Sequence, residues 1–193
     1  KVIKPLFLDD LTEVFETLKL RSEENELKDI TEKTRNDNKR SIINELSALL
    51  TRISNIKFLD PASGSGNFLI IAYKEIRRLE IKILQLLGDL QNNDSMPLSV
   101  IHLGNFNGIE LDDFAHEVAR LSLWIAEHQM NKELEEAIPG TIAELLPLKD
   151  AGNIICANSL RIDWNEVLPH SVDQEVYLMG NPPYYGARKQ TPE

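Results

Sequence analysis

The chain runs to 193 residues, 42% hydrophobic and 27% charged, the make-up of a soluble globular unit with its own core rather than a disordered or collagen-like chain. Acidic residues outnumber basic ones 31 to 21, for a net charge of −10, so any grip on nucleic acid has to come largely from sequence outside this chain. One cysteine, Cys156, excludes a disulfide scaffold and a multi-cysteine zinc site, and there is neither a membrane-length apolar run nor a signal-peptide pattern.

These features predict a cytoplasmic protein, and a first residue that is Lys rather than Met predicts a segment of a longer one. Leu11, Val14, Phe15 and Leu18 follow the i, i+3, i+4, i+7 spacing of an amphipathic helix over residues 6–20. Residues 22–40 are dense in charge, with Leu27 and Ile30 as the only aliphatics, and read as a solvated helix or mobile insertion without a function of its own. A second amphipathic stretch, Ser41–Ile53, completes an N-terminal helical segment over 1–53, ahead of a second unit over 54–193.

From Ile56 the texture changes to alternating strands and helices. Ile56–Asp60 is a short apolar run ended by a Pro/Gly/Ser turn, as in a buried strand. The next helix carries Phe68, Ala72, Ile76, Leu79, Ile83 and Leu86 on one stripe and is ended by Gly88 and the polar run Gln91–Ser95. Phe106–Leu111 is the following strand, and Asp112 or Asp113 caps a helix whose inner face is read as Phe114, Val118, Leu121 and Ile125. Asn153–Ala157 and Glu175–Met179 read as two further strands, and the alternation predicts an α/β fold with a parallel sheet and helices on both faces.

Three segments carry chemistry, each at the end of a strand. The first is Asp60-Pro61-Ala62-Ser63-Gly64-Ser65-Gly66-Asn67-Phe68, where a strand passes into a helix and parallel sheets bind ligands. Gly64 and Gly66 allow a tight turn and close approach of a ligand to main-chain N–H groups. Leu69 stands where a dinucleotide fingerprint needs a third glycine, which disfavours NAD. The second is Gly108-Ile109-Glu110-Leu111-Asp112, whose Glu110 can accept hydrogen bonds from both hydroxyls of a ribose. The third is Gly180-Asn181-Pro182-Pro183-Tyr184. Its prolines fix φ and remove two donors, leaving Asn181 and the Pro182 carbonyl as rigid acceptors for both hydrogens of a planar –NH2 group, with an aromatic ring next in line to stack on its bearer.

A glycine loop, an acidic strand end and Asn-Pro-Pro-Tyr, in that order, resemble the amino-methyltransferases that use S-adenosylmethionine, and most nearly the gamma-type adenine-specific DNA methyltransferases. More narrowly, Asp-Pro-Ala-Ser-Gly-Ser-Gly-Asn-Phe-Leu-Ile-Ile-Ala-Tyr-Lys-Glu from Asp60, and Gly-Ile-Glu-Leu-Asp-Asp-Phe-Ala-His-Glu-Val-Ala-Arg-Leu-Ser-Leu-Trp-Ile-Ala-Glu-His-Gln-Met from Gly108, look like the large MmeI-like restriction–modification enzymes. The resemblance covers residues 56–185 strongly and the N-terminal helices loosely. It implies a Rossmann-like three-layer α/β/α fold with a mainly parallel sheet, of which this chain supplies about four strands, the others following. It further implies that Asp60, Pro61, Ala62, Ser63, Gly64, Gly66, Asn67 and Phe68 line the methionine end of S-adenosylmethionine, that Glu110 binds its ribose with Leu111 beside the adenine, and that Asn158 meets the adenine amine. Many relatives have Asp at the position of Asn158 and Cys at that of Ser63.

The implied reaction is methylation of the N6 amine of an adenine flipped out of double-stranded DNA, with Asn181 and Pro182 accepting the amine hydrogens and Tyr184, after Pro183, stacking on the base. The duplex would be gripped by regions outside this chain. A glutamine-amide methyltransferase acting on protein is the nearest enzymatic alternative, because a side-chain amide also offers –NH2 to Asn-Pro-Pro-Tyr. A non-catalytic module that binds S-adenosylmethionine is another. Cys156 is read as a buried small hydrophobe in mid-strand, not the nucleophile that cytosine-carbon methylation needs. His102, His116, His128 and His170 form no metal-ligand spacing, so no metal is expected. Lys74, Arg77, Arg78 and Lys82 read as a solvated helix face rather than a phosphate-facing stripe.

Overall fold

The computed structural model describes residues 4–91, 98–141 and 153–182. A π-helical turn, Lys4–Leu8, leads directly into helix α1 (Asp9–Leu27), and α2 (Glu32–Asn55) returns along it. Leu11, Phe15 and Leu18 of α1 are buried against Ile42, Leu46, Leu49 and Ile53 of α2, whereas Val14 stands 41% exposed on the flank. The charged residues 22–40 make the end of α1, a turn and the first part of α2. Thr31 caps α2 by accepting from the Thr34 N–H, and Asn25, buried, donates to the Arg35 carbonyl at 3.0 Å.

Strands β1 (Lys57–Asp60), β2 (Phe106–Glu110), β3 (Asn153–Cys156) and β4 (Val176–Leu178) form one parallel sheet in the order β3-β2-β1-β4. Helix α3 (Asn67–Gln91) connects β1 to β2, α4 (Asp113–Ala137) follows β2, and the short α5 (Trp164–Val167) precedes β4. The period-2 alternation of strands divides the apolar residues between two faces. Phe58 pairs across the sheet with Phe106 on one side and Tyr177 on the other. These rings face the large helical layer. Phe58 stacks on Phe106 with centroids 4.8 Å apart, Phe7 from the π-turn meets Phe58 edge-on at 5.0 Å, and Tyr73 of α3 meets Phe106 at 5.2 Å. On the opposite face Leu59, Ile109, Ile155 and Val176 are covered by Trp164, Val167 and Leu168. The result is the expected Rossmann-like arrangement, with helical cover on both faces but one layer much thinner than the other.

Helix α3 buries Ala72, Ile76, Leu79 and Ile83 as its spacing predicts, but it runs through Gly88 as far as Gln91; the rest of the polar run expected to end it, residues 92–95, lies outside the described residues. In α4 the phase differs from expectation. Ala119, Leu123, Ala126, Met130 and Leu134 face the core, whereas Phe114, Leu121 and Ile125 are 79%, 45% and 42% exposed and Val118 is half-buried. Small residues favour this phase: Ala119 packs so close to Gly66, at the entrance to α3, that a Cβ on the glycine would lie 3.3 Å from the Ala119 Cβ. Arg77 also departs from the solvated face assigned to it. It is 1% exposed, donates to Asn131 Oδ1 at 3.0 Å and to Ser99 Oγ, and lies 3.4 Å from the buried Glu80 carboxylate. Glu80 in turn accepts from the Val100 N–H at 2.6 Å and the Ile101 N–H at 3.2 Å, so the pair pins the chain entering β2. Among the described residues no helix is long and apolar enough to cross a membrane.

Candidate functional site

A sheet whose strands all run the same way delivers every strand end to one edge, and the three sequence motifs therefore converge there. At the end of β1, Asp60 is fully buried. Its Oδ1 accepts from the Ala62 N–H at 3.0 Å, while its buried Oδ2 has no hydrogen-bond partner among the described residues. Desolvation pushes its carboxyl up to about 6; the Ala62 N–H pulls the other way and the nearby Glu110 charge adds to the rise.

Beyond Asp60 the chain turns through Pro61 and Ala62, both half-buried, to Ser63, which is buried and donates its N–H to the Ile109 carbonyl at 3.0 Å. Gly64 and Gly66 take φ of 53° and 80°, the left-handed region that favours glycine. Asn67, exposed, and Phe68, half-buried, open α3. Glu110 then binds this loop to β2. Its Oε2 accepts from the Gly64 N–H at 2.6 Å and its Oε1 from the Leu111 and Asp112 N–H groups, each at 2.9 Å. A carboxylate offers about four lone-pair positions, so three main-chain donors leave Glu110 room for about one more. The sequence reading gave Glu110 a ligand and missed this second task, because a contact across 46 positions leaves no local pattern.

The end of β3 lies beside it, since the Ala157 N–H donates to the Glu110 carbonyl at 2.8 Å. Asn158, half-buried, turns the chain by accepting from the Leu160 N–H at 3.0 Å. Cys156 is exposed at the last position of β3, not buried in mid-strand as expected, because strand pairing stops there and the thiol turns outward to donate to the Leu111 carbonyl at 3.7 Å. Its thiol is raised above the usual range, first by desolvation and then by Asp113, Asp112 and Glu110, which keeps it protonated. At the end of β4, Met179 is buried and its N–H donates to the Leu59 carbonyl at 2.9 Å, carrying Gly180 out beside Asp60, with Asn181 and Pro182 next in the chain. Asn181 and Pro182 are exposed, and Pro183 and Tyr184 lie outside the described residues.

Exposed apolar side chains to which the sequence reading gave no part in the site also follow these strands. Phe114, placed in the core on helical phase, stands 79% exposed near the start of α4, and Leu160, beyond β3, is 89% exposed. With Leu111 at 69% exposed they leave an exposed apolar fringe on the loops after β2 and β3. The signal in the sequence was proximity to strand ends rather than periodicity. Among the described residues no group of three His, Cys, Asp or Glu is arranged to hold a metal ion.

The family model described as the MmeI DNA-methyltransferase domain matches residues 31–193. The chain is 48% identical over 193 residues to the DNA methyltransferase A of Bacillus subtilis (strain 168), covering 100% of itself and 20% of that protein. Its fold is similar to the solved structure of the Type IIL restriction–modification enzyme MmeI in complex with DNA. The TM-score is 0.77 at 35% identity, over 99% of this chain and 23% of that one. The chain thus spans about a fifth of the length of these relatives.

Proposed function

The chain belongs to the MmeI-type DNA-methyltransferase domain family, and from that membership we propose that it carries the cofactor loop and base-binding motif of an enzyme that methylates the N6 amine of adenine in double-stranded DNA. S-adenosylmethionine, when bound, supplies an electrophilic sulfonium methyl group. The observation that carries the reading is the buried Asp60 Oδ2, a carboxylate oxygen without a hydrogen-bond partner among the described residues, on the residue that opens the glycine loop and whose Oδ1 faces Gly180, just before Asn181. A buried orphan acceptor of this kind asks for a cation, and S-adenosylmethionine brings one in its ammonium group.

The residues fit that cofactor end to end. Asp60 and the loop through Pro61, Ala62, Ser63, Gly64, Gly66, Asn67 and Phe68 would hold the methionine end. Glu110 would spend its remaining lone pair on a ribose hydroxyl, and Leu111, Asn158 and the fringe of Phe114 and Leu160 would border the adenine ring. Asn181 Oδ1 and the Pro182 carbonyl would accept the two amine hydrogens, drawing the delocalised lone pair back onto nitrogen as its geometry turns tetrahedral. The methylated nitrogen is cationic and releases its proton to water, so no strong general base is required. Tyr184, after Pro183, would stack on the extruded base and offset part of the few kcal/mol that flipping costs. The duplex itself would be held by parts of the longer protein, given the net charge of −10 here.

The test is calorimetric titration of S-adenosylmethionine into the intact protein, with NAD as control, followed by transfer of labelled methyl to unmethylated duplex DNA and digestion to nucleosides. Saturable binding of S-adenosylmethionine and label in N6-methyladenine are expected. Label in protein glutamine would move the assignment to amide methylation, binding without transfer would make it a cofactor-binding module, and binding of NAD alone would overturn it.

A further inference from the structure

Gly180 immediately precedes Asn181, and its backbone is not in the left-handed region, so φ gives no reason for a glycine there. Space does. A Cβ at this position would lie 2.8 Å from Asp60 Oδ1 and 3.4 Å from Pro61 Cδ. Asp60 has little room to withdraw, since it is fully buried and its Oδ1 accepts from the Ala62 N–H at 3.0 Å. The main chain around it is also pinned, by Met179 N–H to Leu59 carbonyl at 2.9 Å and Ser63 N–H to Ile109 carbonyl at 3.0 Å. On the other side of the contact Gly180, Asn181 and Pro182 are exposed. Strain introduced at position 180 is therefore relieved by moving the Asn181 side.

We propose that Gly180 is a positioning residue for methyl transfer: its bare Cα leaves free the space that a Cβ would contest with the Asp60 carboxylate, so that the cofactor loop and Asn181 are held at one fixed spacing. This rests on the function proposed above. The glycine loop and the Asn-Pro-Pro motif meet here through a side chain on one and the absence of one on the other. A single methyl group at 180 separates the amine acceptors from the loop that would hold the methyl donor while leaving that loop's own hydrogen bonds in place. Misplacement by a fraction of an ångström up to 1 Å in a reacting pair lowers rates by about 10- to 100-fold.

The experiment compares wild type, Gly180→Ala, Asp60→Ala and the double variant in the intact protein, reading single-turnover methylation of duplex DNA, cofactor affinity by calorimetry, and melting temperature. For Gly180→Ala the expected result is a single-turnover rate lower by about 10- to 100-fold, with cofactor affinity held within about threefold. In the Asp60→Ala background, where the obstructing oxygen is gone together with the carboxylate that would hold the cofactor, the contact is read by melting temperature, which Gly180→Ala should lower no further. That arm reads the contact even if the single Gly180 variant folds poorly. An unchanged rate in Gly180→Ala, equal loss of affinity and rate, or an additive further loss of melting temperature in the double variant would each overturn the proposal. A wild-type protein that moves no methyl to DNA would instead sink the function on which it rests.

Discussion

Asp60 is a carboxylate that the fold buries before giving it a full set of partners, and its protonation reports that cost. An acid whose folded-state value rises from 3.8 to about 6 binds its proton more tightly when folded. It therefore stabilises the protein below pH 3.8, and that contribution is lost as pH climbs through about 6. The melting temperature without cofactor should fall across this window and level off above it, and Asp60→Asn should flatten that slope; thermal scans from pH 4 to pH 7.5 check both. If Asp60 receives a cation, cofactor affinity should rise over the same window, opposite in sign to stability. Asn181 gives the complementary case. It is exposed, so Asn181→Ala should lower single-turnover methyl transfer by at least about 100-fold with cofactor affinity nearly intact. Loss of affinity in that variant would contradict the role given to the residue.

At the scale of elements, α4 shows where sequence patterning succeeds and where it stops. Its existence and its cap were legible, the cap because Asp112 accepts from the Ala115 N–H at 2.7 Å, as a short acidic side chain before a helix should. Its phase was not. Phe114, Val118, Leu121 and Ile125 make a valid apolar stripe, and Ala119, Leu123, Ala126, Met130 and Leu134 make another; hydrophobicity favours the bulkier one. Packing chose the stripe with two alanines, a choice that depends on the shape of α3 and so on residues far away in sequence. Leu123→Ala should therefore cost about 2–5 kcal/mol and Ile125→Ala less than about 1 kcal/mol, read as shifts in denaturant midpoint at constant slope. Reversal of that order would restore the sequence-based phase. The site divides in the same way. Strand ends and glycines carry local signatures, and the positions of Asp60, Gly64, Glu110 and Asn181 could be read from them. The Glu110 clasp on Gly64, the burial of Arg77 and the Asp60–Gly180 contact could not, since each joins residues from separate elements or depends on tertiary burial.

Across the whole molecule, the N-terminal helices and the sheet share one core. Phe7 is 2% exposed and sits 5.0 Å from Phe58 and 5.3 Å from Tyr177 by ring centroid. Arg52, in the last turn of α2, donates to both Glu175 oxygens at 2.6 and 3.1 Å just before β4. Phe7→Ala should cost about 3–5 kcal/mol and shift a single cooperative transition rather than expose a separate one for the helices, which melts followed by both far-ultraviolet and near-ultraviolet dichroism would reveal.

The strand order has a consequence in time. In the finished sheet β1 lies between β2 and β4, yet Leu59 meets its β4 partner Leu178 only 119 residues later in the chain. At translation rates of about 5–20 residues per second, one edge of β1 waits roughly 6 to 24 s on the ribosome for the strand that covers it. During that interval the nascent chain holds a hydrophobic strand with an unfilled row of hydrogen bonds, the form in which chains stick to one another. Of these four strands the last to arrive, β4, is also the one that leads into Asn181. Assembly of the site and protection of the exposed edge are thus the same event, and a ribosome stalled shortly before β4 would hold a chain that has neither.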